Sequence, residues 1–294
     1  NNVTVRMSGT TTVQTITGTS GGVVEVHGQL VPVNNSLDVT RYTLALNTPQ
    51  SWDALTVGIS GVVTNLAAGD SNSPKLDLTI GTLNITGSGR IDVSAKGMLP
   101  SASVTGRSGG SYGGLGGEGN GGVTNQVYGN YQQPVDFGTG GSTDHASGTP
   151  SRGGGVIKLV VDDLTLNGQI YANGQNYATY AGGGSGGSIW LDVGVLRGTG
   201  RIDANGGAGN YPNTGGGGGG RIAVYYGQLD GFDINSATRL RTLGGGASEQ
   251  YGVTGTIYTK DKAQALGTLR YNGSSSGGLN RAVELTGVIN EPLV

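Results

Sequence analysis

Gly186-Gly187-Ser188-Ile189-Trp190-Leu191-Asp192-Val193 is the middle copy of a pattern that the chain writes several times. Gly153-Gly154-Gly155-Val156-Ile157-Lys158-Leu159-Val160-Val161 precedes it, and Gly219-Gly220-Arg221-Ile222-Ala223-Val224-Tyr225-Tyr226 follows, with Ile157, Ile189 and Ile222 spaced by 32 and 33 residues. A weaker copy begins at Gly255-Thr256-Ile257-Tyr258. Each copy is apolar at every second position, the period of a strand with one buried face. A fixed repeat near 33 residues means that one supersecondary unit recurs, and such units bury their apolar faces by stacking on one another.

A second run follows within each unit. Gln169-Ile170-Tyr171-Ala172-Asn173-Gly174 matches Arg201-Ile202-Asp203-Ala204-Asn205-Gly206, and Arg90-Ile91-Asp92 ends an earlier unit that starts at Leu76. Two short strands per unit, recurring at one phase, are expected to stack about 4.8 Å apart with the isoleucines in ladders. The reading is an all-β fold, a parallel right-handed β-helix or β-solenoid with long Gly-rich loops on one side. No segment keeps a 3.6-residue apolar period over ten residues, so helices are expected to be nearly absent.

Three segments are expected. Residues 1–70 alternate without the glycine signature and read as amino-terminal β coils or a cap, since the end of a stack needs cover against edge pairing. Residues 71–275 hold the Gly-rich repeats. Residues 276–294 read as an exit segment toward a further domain. Within the repeats Leu76 and Ile157 are 81 residues apart, and the 106–155 insertion between them has 18 glycines but only four Val, Ile or Leu. It cannot form its own core, and insertions of this kind are usually functional or disordered. Runs such as Gly182–Gly184 and Gly215–Gly220 re-enter a strand at one phase, which favours extended polyglycine segments side by side over free linkers.

Composition narrows the function. Among 294 residues there are 61 glycines, no cysteine, and 17 basic against 19 acidic residues. No basic tract exists to follow a phosphate backbone, so nucleic acid is not an expected partner. No apolar block is long enough for a membrane span. The absence of cysteine removes disulfides, thiol nucleophiles and Cys-ligated zinc. No cofactor and no transition-metal site is expected; a structural Ca2+ held by loop aspartates and carbonyls stays open. Low charge with abundant Thr, Ser, Asn and Gly points to a secreted or cell-surface location.

Gly182–Leu191, Gly198–Gly207, Gly215–Tyr226 and Tyr128–Gly141 together resemble the glycine-rich repeat region of very large secreted or surface proteins. That resemblance covers about residues 76–269 and implies adhesion or matrix association. It transfers no catalytic residue.

The expected function is therefore a non-catalytic structural or adhesive module meeting a polysaccharide or a cell-surface partner. Thirteen tyrosines against two Phe and two Trp suggest rings that stack on sugars, and Tyr112, Tyr131, Tyr177, Tyr180 and Tyr211 are the candidate ligand contacts, although loop tyrosines can equally pin glycine segments. The first alternative is a polysaccharide lyase, glycoside hydrolase or phage-spike-type enzyme, for which Asp136, Asp144 and His145 in the long insertion are the acid–base candidates. Asp92 and Asp203 read instead as solvent-face strand residues pairing with neighbouring units. The second alternative is a self-associating extracellular filament subunit. Gly183–Gly187 matches a nucleophile-elbow pattern around Ser185, but that turn needs a following helix and none is expected.

Overall fold

A computed structural model describes residues 3–18, 21–66, 74–176, 179–209 and 211–271. Tyr177 and the 276–294 exit segment lie outside the described residues. The fold is almost entirely β, and among the described residues the one helical element is a 3-10 turn at Val33–Asn35.

Two eight-stranded sheets run the length of the molecule. One stacks Thr4–Met7, Gly22–Val26, Tyr42–Leu46, Val62–Asn65, Arg90–Asp92, Gln169–Tyr171, Arg201–Asp203 and Leu240–Arg241, all parallel. The other stacks Ser36–Val39, Gln50–Val57, Leu76–Ile85, Val156–Leu166, Ser188–Arg197, Arg221–Asp230 and Thr256–Asp261 in parallel, and Thr268–Arg270 closes its end antiparallel. From residue 36 onward the chain alternates between the two sheets with each strand. A small parallel ribbon pairs Thr11–Val13 with Leu30–Pro32.

The ladders follow the sequence repeat. Leu76, Ile157, Ile189, Ile222 and Ile257 are successive partners in the long-strand sheet, and Ile91, Ile170, Ile202 and Leu240 in the short-strand sheet. All nine side chains are buried, in one continuous apolar core that reaches from Val24 to Ile257. The residues before 70 add strands to these same two sheets and side chains to this same core. Polar ladders stitch the turns between: Asn205 N–H donates to Asn173 Oδ1 at 2.8 Å, and Leu243 N–H to Asn205 Oδ1 at 2.8 Å.

The glycine segments are neither linkers nor strands. In Gly215–Gly220 the N–H groups of Gly215 and Gly218 donate to the carbonyls of Arg107 and Gly110, those of Gly216 and Gly219 to Gln250 and Val253, and those of Gly217 and Gly220 to Gly207 and Ala204. Every third residue faces the same neighbour, the symmetry of an extended helix with three residues per turn. The carbonyls obey the same rule. Gly183 and Gly186 donate to Gly215 and Gly218, Gly117 and Gly114 to Gly216 and Gly219, and Gly245 to Gly217. Six backbone segments therefore surround one polyglycine core at distances of 2.7–2.9 Å. Gly182–Gly187 repeats the arrangement, its N–H groups alternating among Ser142 and Thr139, Gly215 and Gly218, and Gln175 and Ala172.

Close approach is what requires glycine here. A Cβ at Gly217 would lie 2.0 Å from the Gly184 carbonyl oxygen, and one at Gly218 would lie 1.9 Å from that of Gly114. Gly217→Ala must push whole backbone segments apart. It is expected to cost about 3 kcal/mol, whereas Gly87→Ala, whose Cβ would meet nothing within 4 Å, should leave the midpoint of chemical denaturation unchanged within about 0.5 kcal/mol.

Candidate functional site

The polyglycine segment carries its upstream loop away from the sheets. Gly220 joins the strand Arg221–Asp230, and at about 3.1 Å per residue the run of Gly215–Gly220 stands roughly 19 Å long. At its outer end several loops converge. Arg107 Nε donates to Asp144 Oδ1 at 2.8 Å, and Arg107 Nη1 to the Pro212 carbonyl at 3.3 Å. The second carboxylate oxygen of Asp144 accepts from Asn120 Nδ2. His145 stacks on Tyr180, centroids 3.8 Å apart and planes 18° apart, and Tyr180 meets Tyr211 edge-on at 4.3 Å. The Arg107 guanidinium lies 5.8 Å from the Tyr180 ring centre. Glu249 and Gln250 complete the cluster by accepting the N–H groups of Asn120 and Glu118 at 2.8 and 2.6 Å.

Four sequence candidates, Asp144, His145, Tyr180 and Tyr211, are thus brought together. Their chemistry is that of a clasp. The hydrogen bonds from Arg107 and Asn120 hold the Asp144 carboxyl below the usual aspartate range, which makes it a poor proton donor near neutrality. His145 Nδ1 accepts the Ser147 N–H at 3.1 Å. One face of the Tyr180 ring is covered by His145, and its hydrogen bond to Tyr211 raises the Tyr211 hydroxyl.

Asp136 lies at the inner end. Its carbonyl accepts from Ser188 Oγ at 2.6 Å, and the same Oγ is 2.6 Å from the Tyr112 hydroxyl. Beside it Arg221, fully buried, donates through Nε and Nη2 to the Tyr128 carbonyl at 3.0 and 2.8 Å, and through Nη1 to Thr256 Oγ1 at 3.0 Å. Its guanidinium sits 5.4 Å from the Tyr112 ring centre. Asp136 and Asp144 are held at opposite ends of a segment roughly 19 Å long, beyond the approximately 5–9.5 Å at which two carboxyl groups share a glycosidic bond.

Tyr112 and Tyr131, expected as ligand contacts, are 0% and 1% exposed. Burial pushes the Tyr112 hydroxyl up to about 12. The Tyr131 ring packs edge-on against Tyr258 at 5.7 Å, and Tyr225 donates to the Gln132 carbonyl at 3.1 Å, so residues 128–137 form a strap over the outer face of the long-strand sheet. These rings anchor a loop and offer no face to a sugar. Ser185 is likewise buried, its Oγ accepting the Thr139 N–H at 2.9 Å. Asp203 is 1% exposed and clamped by Arg241 of the next strand, Nε to Oδ1 at 2.9 Å and Nη2 to Oδ2 at 2.6 Å. It pairs across units as expected, but out of solvent. Asp92 has Arg90 at 3.4 Å.

Sequence reading passed over Arg107 and Arg221. Arg221 had a signal: it occupies the register position of Val156, Ser188 and Thr256, where a large cation is out of place. Arg107 had none, because its partners are 37 and 105 residues away. Among the described residues no three His, Asp or Glu converge as a metal site.

Because the Asp144 carboxyl is held low, its contribution to the clasp is present above the ordinary aspartate range and is lost as pH falls through its lowered value. Asp144→Asn should mimic that loss at pH 7. The expected result is a shift of the His145 ring proton resonances toward free-histidine positions with less than about 1 kcal/mol lost globally, since the pair is partly exposed.

No family model, no curated protein and no solved structure matches the chain.

Proposed function

We propose that the chain is a right-handed β-solenoid module of a secreted or surface protein, a non-catalytic rigid spacer or adhesive element that presents its loop end to a glycan or protein partner. The observation that carries this reading is the polyglycine segment Gly215–Gly220, hydrogen-bonded to six neighbours. A loop of this length with free backbone would be a poor platform, because each residue ordered on binding costs about 1–2 kcal/mol. Here that ordering is completed on folding. Rigidity is thereby transmitted from the sheets to Arg107, His145 and Tyr211, and the composition, poor in charge and rich in Gly, Thr, Ser and Asn, suits an extracellular setting.

A polysaccharide-cleaving role draws no support from the candidate acids. Asp144 is engaged by Arg107 and Asn120, and Asp136 lies at the other end of the glycine segment.

Amide hydrogen exchange tests the rigid reading. Gly215–Gly220 is expected to exchange as slowly as Ile189 and Leu191 in the core strand, and exchange at the rate of open loops would overturn it. In parallel, incubation with plant, algal and bacterial polysaccharides should release no reducing ends or unsaturated products; release abolished by Asp144→Asn would restore the enzyme.

A further inference from the structure

The long-to-short strand junction, opposite the glycine loops, carries a groove of about 300 Å³. Asn167, Gln169, Thr199, Arg201, Thr238 and Arg239 supply its side chains, every one a hydrogen-bonding group. It is built by the stack itself. Arg90, Gln169 and Arg201 are successive partners in the short-strand sheet, and Ile202 pairs with Leu240, which sets Arg239 beside Arg201. Neighbouring strands are about 4.8 Å apart, so Arg90 and Arg201 are separated by roughly 10 Å and Arg201 and Arg239 by roughly 5 Å.

The adjacent column runs Asp92, Tyr171, Asp203, Arg241. Two aspartates therefore face four arginines, a local surplus of two positive charges on a chain whose net charge is −2. The nearby Asp163 and Asp230 are both claimed by Arg197. Both groove guanidinium groups are fixed without being exhausted. Arg201 Nη2 donates to the Tyr171 hydroxyl at 2.5 Å while Nε faces Asp203 at 2.9 Å. Arg239 Nη1 reaches the carbonyls of Thr199 and Gly200. Each guanidinium has five N–H donors, so donors remain for a ligand.

We infer that this groove binds a linear acidic polysaccharide laid along the stacking direction, with carboxylate or sulfate groups on Arg90, Arg201 and Arg239 and sugar hydroxyls on the amide and hydroxyl side chains between them. The arginine spacing is on the scale of one or two sugar units. Uncharged polar groups between cations suit hydroxyl-rich residues, whereas a single-stranded nucleic acid asks for stacking rings along the groove, and none of its lining residues is aromatic. The site is independent of the loop end and of the spacer reading.

The test is binding of the whole chain to polygalacturonate at low salt, with dextran as the neutral polymer and a thymidine oligonucleotide as the other polyanion. Polygalacturonate should bind with an affinity that falls as salt rises, and dextran should not. Arg239→Gln and Arg90→Gln should each weaken binding roughly tenfold. Thr199→Glu, at an exposed position and removing no guanidinium, should abolish binding while leaving the thermal midpoint in place. Equal retention on dextran, affinity unchanged in Arg239→Gln and Thr199→Glu, or tighter binding of the oligonucleotide would each overturn the assignment.

Discussion

The structure depends on backbone groups meeting backbone groups where no side chain intervenes. Every peptide carries one donor and one acceptor that must find partners when buried. A sheet satisfies them in one plane and leaves side chains to fill the space between planes. The polyglycine core satisfies them in three directions at once, because without a Cβ the next backbone can approach from any side. Six neighbours around Gly215–Gly220 leave no space for a methyl group, and the 61 glycines are what such packing demands. The interior of this half of the molecule is made of peptide groups, and its cohesion is hydrogen bonding and close contact more than apolar burial.

This division explains what the sequence made readable. The alternation in Ile189, Leu191 and Val193 and the spacing of 32 and 33 residues give strands, parallel order and register, because stacked identical units repeat the same environment. The partners of Ile157 and Ile170 were legible to the residue. The amino-terminal strands lack glycine runs and so suggested a possible separate cap, yet their alternation is of the same kind and continues the same core. Neighbours of a glycine segment were not legible at all, since glycine has no side chain to mark a face, and a three-residue period written in one amino acid has no phase.

The candidate site was legible in part for a related reason. Asp144, His145, Tyr180 and Tyr211 stood out as chemically rich residues in poor surroundings, and they do meet. Their role is set by partners that sequence cannot supply, Arg107 above all. Tyr112 and Tyr131 looked the same in sequence and are core residues of a strap. Buried Arg221 illustrates the cost of that strap: burial works against its charge, and carbonyl, hydroxyl and ring partners take the place of a touching carboxylate.

The 81-residue gap between Leu76 and its register partner Ile157 sets an order of assembly. The two sheets grow by addition of neighbours, each strand landing on one already in place. The polyglycine core cannot grow that way, because its neighbours come from residues 107–117, 183–186, 204–207 and 245–253. During synthesis the insertion must wait for more than a hundred further residues before its last partners emerge. The sheets are thus a scaffold finished strand by strand, and the glycine half is closed in a single late event, as a keystone closes an arch.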